Sequence, residues 1–243
     1  MRATSDTDIA ITSDEPDRAE SDMKTALMVD VVSDIVCPWC FIGKRKLEVA
    51  LGEINSSDPS LGVEVRWHPF QLNPDLPADG IPRASYVERK FGGAARADDV
   101  YGRVTKAGEA VGIPFRFDRI ERQPNTFDGH RLIAWAQQQG DATALVERLF
   151  SAFFLEGRCI GDRDELARLA AECGWPQRDA HAMLESDAMR EAVENESREA
   201  LDVGIQGVPF FIFNGSIAVS GAQDPATLRE AMAAARRDPA VRS

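Results

Sequence analysis

The chain has 243 residues, 44% of them hydrophobic and 28% charged, with a formal net charge of −12. That length and apolar content support a sizeable core and exclude a fibrous or wholly disordered polymer. An acidic chain without a basic stripe lacks the electrostatic footprint of a nucleic-acid binder, and no run approaches the roughly 18 apolar residues of a membrane helix.

Residues 1–24 include Asp6, Asp8, Asp14, Glu15, Asp17, Glu20 and Asp22. Such a segment buries too little to offset its ordering entropy, so a disordered acidic tail is expected. The basic start and apolar stretch of an export signal are missing, which makes the expected location cytoplasmic. In that compartment the four cysteines read as catalytic, metal-binding or inert rather than as a disulfide framework.

The β-branched run at 26–32 predicts a buried strand, ending at Ser33-Asp34 just before Cys37-Pro38-Trp39-Cys40. The spacing of Ile42, Leu47, Ala50, Leu51 and Ile54 predicts a helix over 41–54, with Gly43 a mild cost inside it. Residues 63–67 alternate apolar and polar as a half-buried strand does, so the three elements form a parallel βαβ unit. A proline-rich loop covers 69–82. Helices are then predicted over 84–91, 98–111, 126–139, 142–156, 163–173, 177–185 and 187–204. Asp162 suits a helix start, and Gly140, Gly174 and Gly204 suit left-handed helix ends. Strands at 209–213 and 217–219 flank the hairpin signal Asn214-Gly215. A last helix, with Pro225 in its first turn, runs over 224–236.

Without its helical middle, the order β-α-β then α-β-β-α matches the thioredoxin order. The expected fold is therefore α/β and thioredoxin-like, with a large all-helical insertion after the second strand. The expected units are the tail at 1–24, a thioredoxin-like domain of 25–78 plus 187–240, and an inserted helical domain at 79–186.

A Cys-x-x-Cys takes its chemistry from its setting. Cys37 sits where a strand gives way to a helix, so its sulfur meets free N–H groups and the positive end of the helix dipole, which favour thiolate over thiol. Pro38 fits the first turn because it lacks a donor that would go unused there. Cys40 lies on the same helical face and deeper, placed to attack a mixed disulfide at Cys37. The competing readings are an inert core pair or half a zinc site. Zinc wants four ligands, usually in two close pairs, whereas Cys159 and Cys173 fall on different predicted elements and the histidines are scattered. No metal is expected. The second piece is Val208-Pro209 at the mouth of a strand, where a residue without a ladder donor belongs.

Four stretches carry a family resemblance. They are residues 33–45 around the dithiol, Asn125-Thr126-Phe127-Asp128-Gly129-His130-Arg131-Leu132, residues 154–162, and Gly207-Val208-Pro209-Phe210-Phe211 with Val219-Ser220-Gly221-Ala222-Gln223. Together they resemble the DsbA family, and more closely its cytoplasmic FrnE-like branch. The resemblance implies dithiol–disulfide exchange on protein or low-molecular-weight thiols and disulfides, with a cis Pro209 facing the dithiol. Pro38, Trp39, Val208, Pro209 and Gln223 are the implied substrate-binding residues, and His130 a candidate proton relay to Cys40. No resident cofactor is implied. Glutathione is a candidate redox partner or co-substrate near Val208 and Gln223, a homodimer is a candidate assembly, and neither nucleic acid nor membrane is an expected partner. Many relatives carry histidine where this chain has Trp39, and indole cannot hold a thiolate as an imidazolium does. A potential between about −270 mV for thioredoxin and about −120 mV for a strong periplasmic oxidant is therefore expected.

Two other functions compete. A glutathione-dependent isomerase or transferase, of the 2-hydroxychromene-2-carboxylate isomerase or kappa-class type, would keep its activity after Cys40→Ala. A peptide-binding module with a vestigial dithiol would keep its binding after Cys37→Ser. Asn125 or Thr126 is expected to cap the following helix. Trp67 and His68 are expected in packing and loop, Phe210 and Phe211 in the core. Cys159 and Cys173 are expected to be ordinary side chains, or a second redox pair only if their Cα atoms lie within about 7 Å.

Overall fold

The β-branched run of the N-terminal half forms β1 (Leu27–Ser33), almost wholly buried. The computed structural model describes residues 27–238, so the expected acidic tail lies outside the described residues. β1 pairs in parallel with β2 (Val63–Pro69), Val31 opposite Trp67. On its other side it pairs antiparallel with β5 (Phe210–Phe213), Val31 opposite Phe211, and β6 (Ile217–Ser220) completes the order β2-β1-β5-β6. In the three-residue loop between Phe213 and Ile217, Asn214 and Gly215 both take positive φ, 48° and 67°, and Ser216 N closes the turn by donating to Phe213 O at 3.1 Å.

Two helices belong to this sheet, α1 (Pro38–Ser57) and α9 (Pro225–Arg237), and they pack against each other. Between β2 and β5 the chain is helical: α2 (Arg83–Phe91), α3 (Ala94–Glu109), α4 (Phe127–Gln137), α5 (Thr143–Ser151), α6 (Arg163–Glu172), α7 (Gln177–Glu185) and α8 (Arg190–Asp202). The helix expected over 142–156 is α5 continued by a π-helical turn, Ala152–Glu156. A two-residue pairing of β3 (Ile81–Pro82) with β4 (Arg122–Gln123) is new, being too short to show alternation.

Helices between β2 and β5 pack directly on the sheet. α4 and α8 lie against β2. The Gln137 carboxamide closes the open edge there, accepting from Trp67 N at 2.6 Å and donating to Trp67 O at 3.0 Å. Phe41 of α1 stacks on Phe150 of α5, centroids 5.0 Å apart, and meets Phe115 edge-on at 6.1 Å. One apolar core therefore runs from the sheet through α1 into the insertion.

Caps follow the sequence with one exception. Asp162 accepts from Glu165 N at 2.8 Å, and Gly174 and Gly204 are left-handed, φ 96° and 88°. Gly140 is not: α4 ends earlier, through Gln138 at φ −67°, and needs no left-handed residue.

Candidate active site

Cys37 is the N-cap of α1, in extended backbone, with Pro38 at the first helical position. A tight turn delivers it there, Cys37 N donating to Asp34 O at 2.9 Å, and Cys40 N then donates back to Cys37 O at 3.0 Å. Both are free thiols, 5% and 2% exposed, while Trp39 between them is 42% exposed. The Cys37 thiol donates to the Val208 carbonyl at 3.6 Å, and the Val208–Pro209 bond is cis.

Gly43 explains why that approach is close. A Cβ there would stand 2.8 Å from Pro209 Cγ and 3.2 Å from Phe211 Cζ. The helix cost of a glycine thus permits α1 to lie against the proline strand. Gln223 occupies the same rim: Gly221 N donates to Pro209 O at 2.8 Å and Gln223 N to Gly221 O at 2.8 Å. Its side chain is exposed and turned to Ser220 O at 2.9 Å.

Beneath the dithiol lies a buried polar floor. Burial, and then the neighbouring Cys37, push the Cys40 thiol well above its ordinary range, against the pull of the Ser33 hydroxyl and the Asp34 backbone. Ser33 Oγ is itself buried without a formed hydrogen bond. The Asp34 carboxylate is fully buried and accepts from Leu72 N at 2.8 Å and Val36 N at 3.4 Å. His130 Nε2 stands 3.5 Å from Asp34 Oδ1, close enough for charge interaction yet not a formed hydrogen bond, so this buried nitrogen is unpartnered. His130 is thus turned toward Asp34.

The segment Asn125–Arg131 sets this floor. Thr126 holds the N-cap position of α4, but Asn125 Oδ1 does the capping, accepting from Phe127 N at 2.9 Å. Gly129 admits Ile35, whose Cδ1 would lie 2.4 Å from a Cβ there. Arg131, fully buried, donates to the carbonyls of Met183, Leu184, Ser186 and Ala188 and to Asp128, fastening α4 to the end of α7.

Of the other residues singled out in the sequence, His68 and Phe210 have places different from those expected, and Trp67, Phe211, Cys159 and Cys173 do not. His68 is not in a loop but on β2, its ring nitrogens 2.8 Å from Asp30 and 3.0 Å from Glu196. Trp67 is core, its indole N–H donating to Thr143 at 3.2 Å. Phe211 is core, whereas Phe210 is half-buried beside Val208. Cys173 donates to Ala144 O at 3.6 Å, and Cys159 borders a cavity of about 620 Å³ with Arg122 and Arg158; both are free. Sequence reasoning missed Ser33 and Asp34 as site residues, although polar residues ending a buried strand just before the dithiol were the available signal. Among the described residues, no group of three or more His, Cys, Asp or Glu side chains could hold a metal ion, and no helix is long and apolar enough to cross a membrane.

Comparison with known proteins gives a consistent answer. The family model of the DsbA-like thioredoxin domain matches residues 28–233. A probable DsbA oxidoreductase from Streptomyces coelicolor, SCO1869, superimposes with a TM-score of 0.77 at 32% identity, covering 86% of this chain and 90% of that one. The uncharacterized protein YwbO of Bacillus subtilis (strain 168) is 29% identical over 197 residues, 78% of this chain and 88% of its own. The cytosolic disulfide reductase DsbM of Pseudomonas aeruginosa, in a structure with GSH, shares the fold with a TM-score of 0.58 at 19% identity, covering 86% and 95%.

Proposed function

The chain belongs to the DsbA-like thioredoxin domain family of thiol–disulfide oxidoreductases, and from that premise we propose that it exchanges disulfides with protein or small-molecule thiols through Cys37 and Cys40. The observation that carries this reading is the Cys37 sulfur at the N-cap of α1, 3.6 Å from the Val208 carbonyl. At that position the sulfur lies at the positive end of the helix. The backbone at Val208 and the half-exposed Trp39 are the surfaces against which a substrate chain would lie.

The exchange runs in two displacements. The Cys37 thiolate attacks one sulfur of a substrate disulfide, forming a Cys37–substrate disulfide and expelling the other sulfur as a thiolate, which takes up a proton. Cys40 then loses its proton and attacks the Cys37 sulfur, expelling the second substrate thiolate and closing a Cys37–Cys40 disulfide. Two electrons pass from the dithiol to the substrate; the reverse sequence oxidises a substrate dithiol. Because burial holds Cys40 protonated, the second displacement needs a proton acceptor. Asp34 and His130 are the nearby polar pair proposed to supply it. The proposed setting is the cytoplasm, whose thiol pool would return the enzyme to its dithiol form.

Equilibration against reduced and oxidised glutathione buffers, read by alkylation and mass, tests the reading. One two-electron transition confined to Cys37 and Cys40, at a potential between the thioredoxin and periplasmic-oxidant values, is the expected result. Absence of any Cys37–Cys40 disulfide across the series would refute it.

A further inference from the structure

Lys46 follows Gly43 by three residues, on the face of α1 that meets the proline strand. From there its ammonium crosses to the loop between β6 and α9, donating to Ala222 O at 3.1 Å and to Asp224 Oδ1 at 2.7 Å. The same loop is bonded to the strand mouth. Gly221 N donates to Pro209 O at 2.8 Å, and Gln223 N folds back on Gly221 O at 2.8 Å. Next to Pro209, the Val208 carbonyl accepts from the Cys37 thiol at 3.6 Å. Cys37 and Lys46 thus sit roughly 14 Å apart along one helix, and each reaches the same unit of loop and strand from its own end.

Stability does not account for this tie. Asp224 holds the N-cap position of α9, where an aspartate ordinarily accepts from an N–H group of the first turn, yet its side chain makes no such bond. Its carboxylate goes to Lys46 instead. The two side chains keep 21% and 78% of their exposure, and an ion pair so open to water adds little to folding. What the pair secures is a position. The close approach of Gly43 to Pro209 sets how near α1 lies to the strand, but a van der Waals contact leaves sliding free. Directional bonds from Lys46 to two separate oxygens fix that remaining freedom.

We infer that Lys46 is a positioning residue for exchange with polypeptide disulfides: by fastening the loop at Ala222 and Asp224 to α1, it keeps the Val208 backbone in register with Cys37. This role rests on the proposed reading of Cys37 as the attacking thiol and of the Val208 backbone as the surface a substrate chain lies against. Lys46 itself touches neither sulfur. Its loss therefore falls on substrates that use that backbone, and spares reagents that need only the Cys37 sulfur.

Rates of Cys37 modification in a Cys40→Ala background test it, read by peptide mass with two reagents, a peptide disulfide and iodoacetamide. Lys46→Met keeps the aliphatic stem and removes the charge. It should slow exchange with the peptide about tenfold, the scale of a small misplacement of reacting groups, while alkylation stays within about twofold. Lys46→Arg, which keeps a cation in reach of the loop, should recover part of the rate. Hydrogen exchange of the Gly221 and Gln223 amides should quicken about tenfold in Lys46→Met, as the loop opens more often. Equal slowing toward both reagents, no slowing toward the peptide, or an arginine variant as slow as the methionine one would overturn the inference. Should Lys46→Met fail to fold, Asp224→Ala decides: a loss of about threefold toward the peptide alone is expected, as one of two bonds goes, and a wild-type rate would overturn it. A Cys40→Ala protein that is alkylated at Cys37 but never exchanges with the peptide refutes the proposed function instead. The amides then decide the tie by themselves, and exchange at Gly221 unchanged by Lys46→Met would overturn it.

Discussion

In the proposed exchange, two cysteines three residues apart take different parts because their surroundings differ. Cys37 caps a helix and faces the Val208 carbonyl, whereas Cys40 is enclosed and its thiol is held well above the ordinary value of 9.0 by burial and by Cys37. In a Cys37→Ser variant, alkylation of Cys40 by iodoacetamide should therefore still show a midpoint above 9.0, because the largest cause, burial, remains. A midpoint at or below that value would contradict the enclosed setting. The unpartnered nitrogen of His130 stands 3.5 Å from Asp34, and in the proposed exchange this pair takes up the Cys40 proton. His130→Gln and Asp34→Asn should each slow decay of the Cys37 mixed disulfide on the order of a hundredfold, the low end of general acid–base effects. The slowing should shrink as pH rises and Cys40 deprotonates unaided. A rate loss constant with pH would mark both residues as structural supports.

Between elements, contacts at single positions fix the distances that the chemistry uses. Gly43 sets the spacing of α1 from the proline strand, and Gly43→Ala must move Pro209 or Phe211, whose atoms lie 2.8 and 3.2 Å from the new carbon. Urea unfolding should show a loss of about 1–3 kcal/mol, typical of overpacking, together with slower disulfide exchange; an unchanged protein would mean that the approach is not tight. A second joint lies at β2, where His68 bridges Asp30 of β1 and Glu196 of α8. Burial disfavours its charge, yet the hydrogen bonds and charges of Asp30 and Glu196 outweigh this and push it up to about 9 from 6.5. A folded-state value above the unfolded one gives stability that is fully present below about 6.5 and is lost as pH rises through about 9. The Tm should therefore fall between pH 7 and 9.5 more steeply in the wild type than in His68→Gln. Parallel curves would show that the imidazolium is not what joins α8 to the sheet.

At the scale of the whole molecule, short local signals were readable and distant pairings were not. The strand–dithiol–helix junction, the Asn214-Gly215 turn and the helices between β2 and β5 are dictated by neighbouring residues, so the thioredoxin-like order could be read from them. Pro209 and Gln223 came through family resemblance, since nothing local to either of them indicates the dithiol. The places of Ser33 and Asp34 under the dithiol stayed hidden because they depend on partners brought close only by folding, such as Leu72 and His130 for Asp34. Gly140 misled for the opposite reason, as α4 had already ended before a left-handed residue was needed. The proposed exchange depends on the division of labour between the two sulfurs, and mass analysis of single-cysteine variants treated with a peptide disulfide tests it most directly. Cys40→Ala should accumulate a stable adduct on Cys37, and Cys37→Ala should form none. An adduct on Cys40 in Cys37→Ala, or sustained turnover by Cys40→Ala, would contradict it.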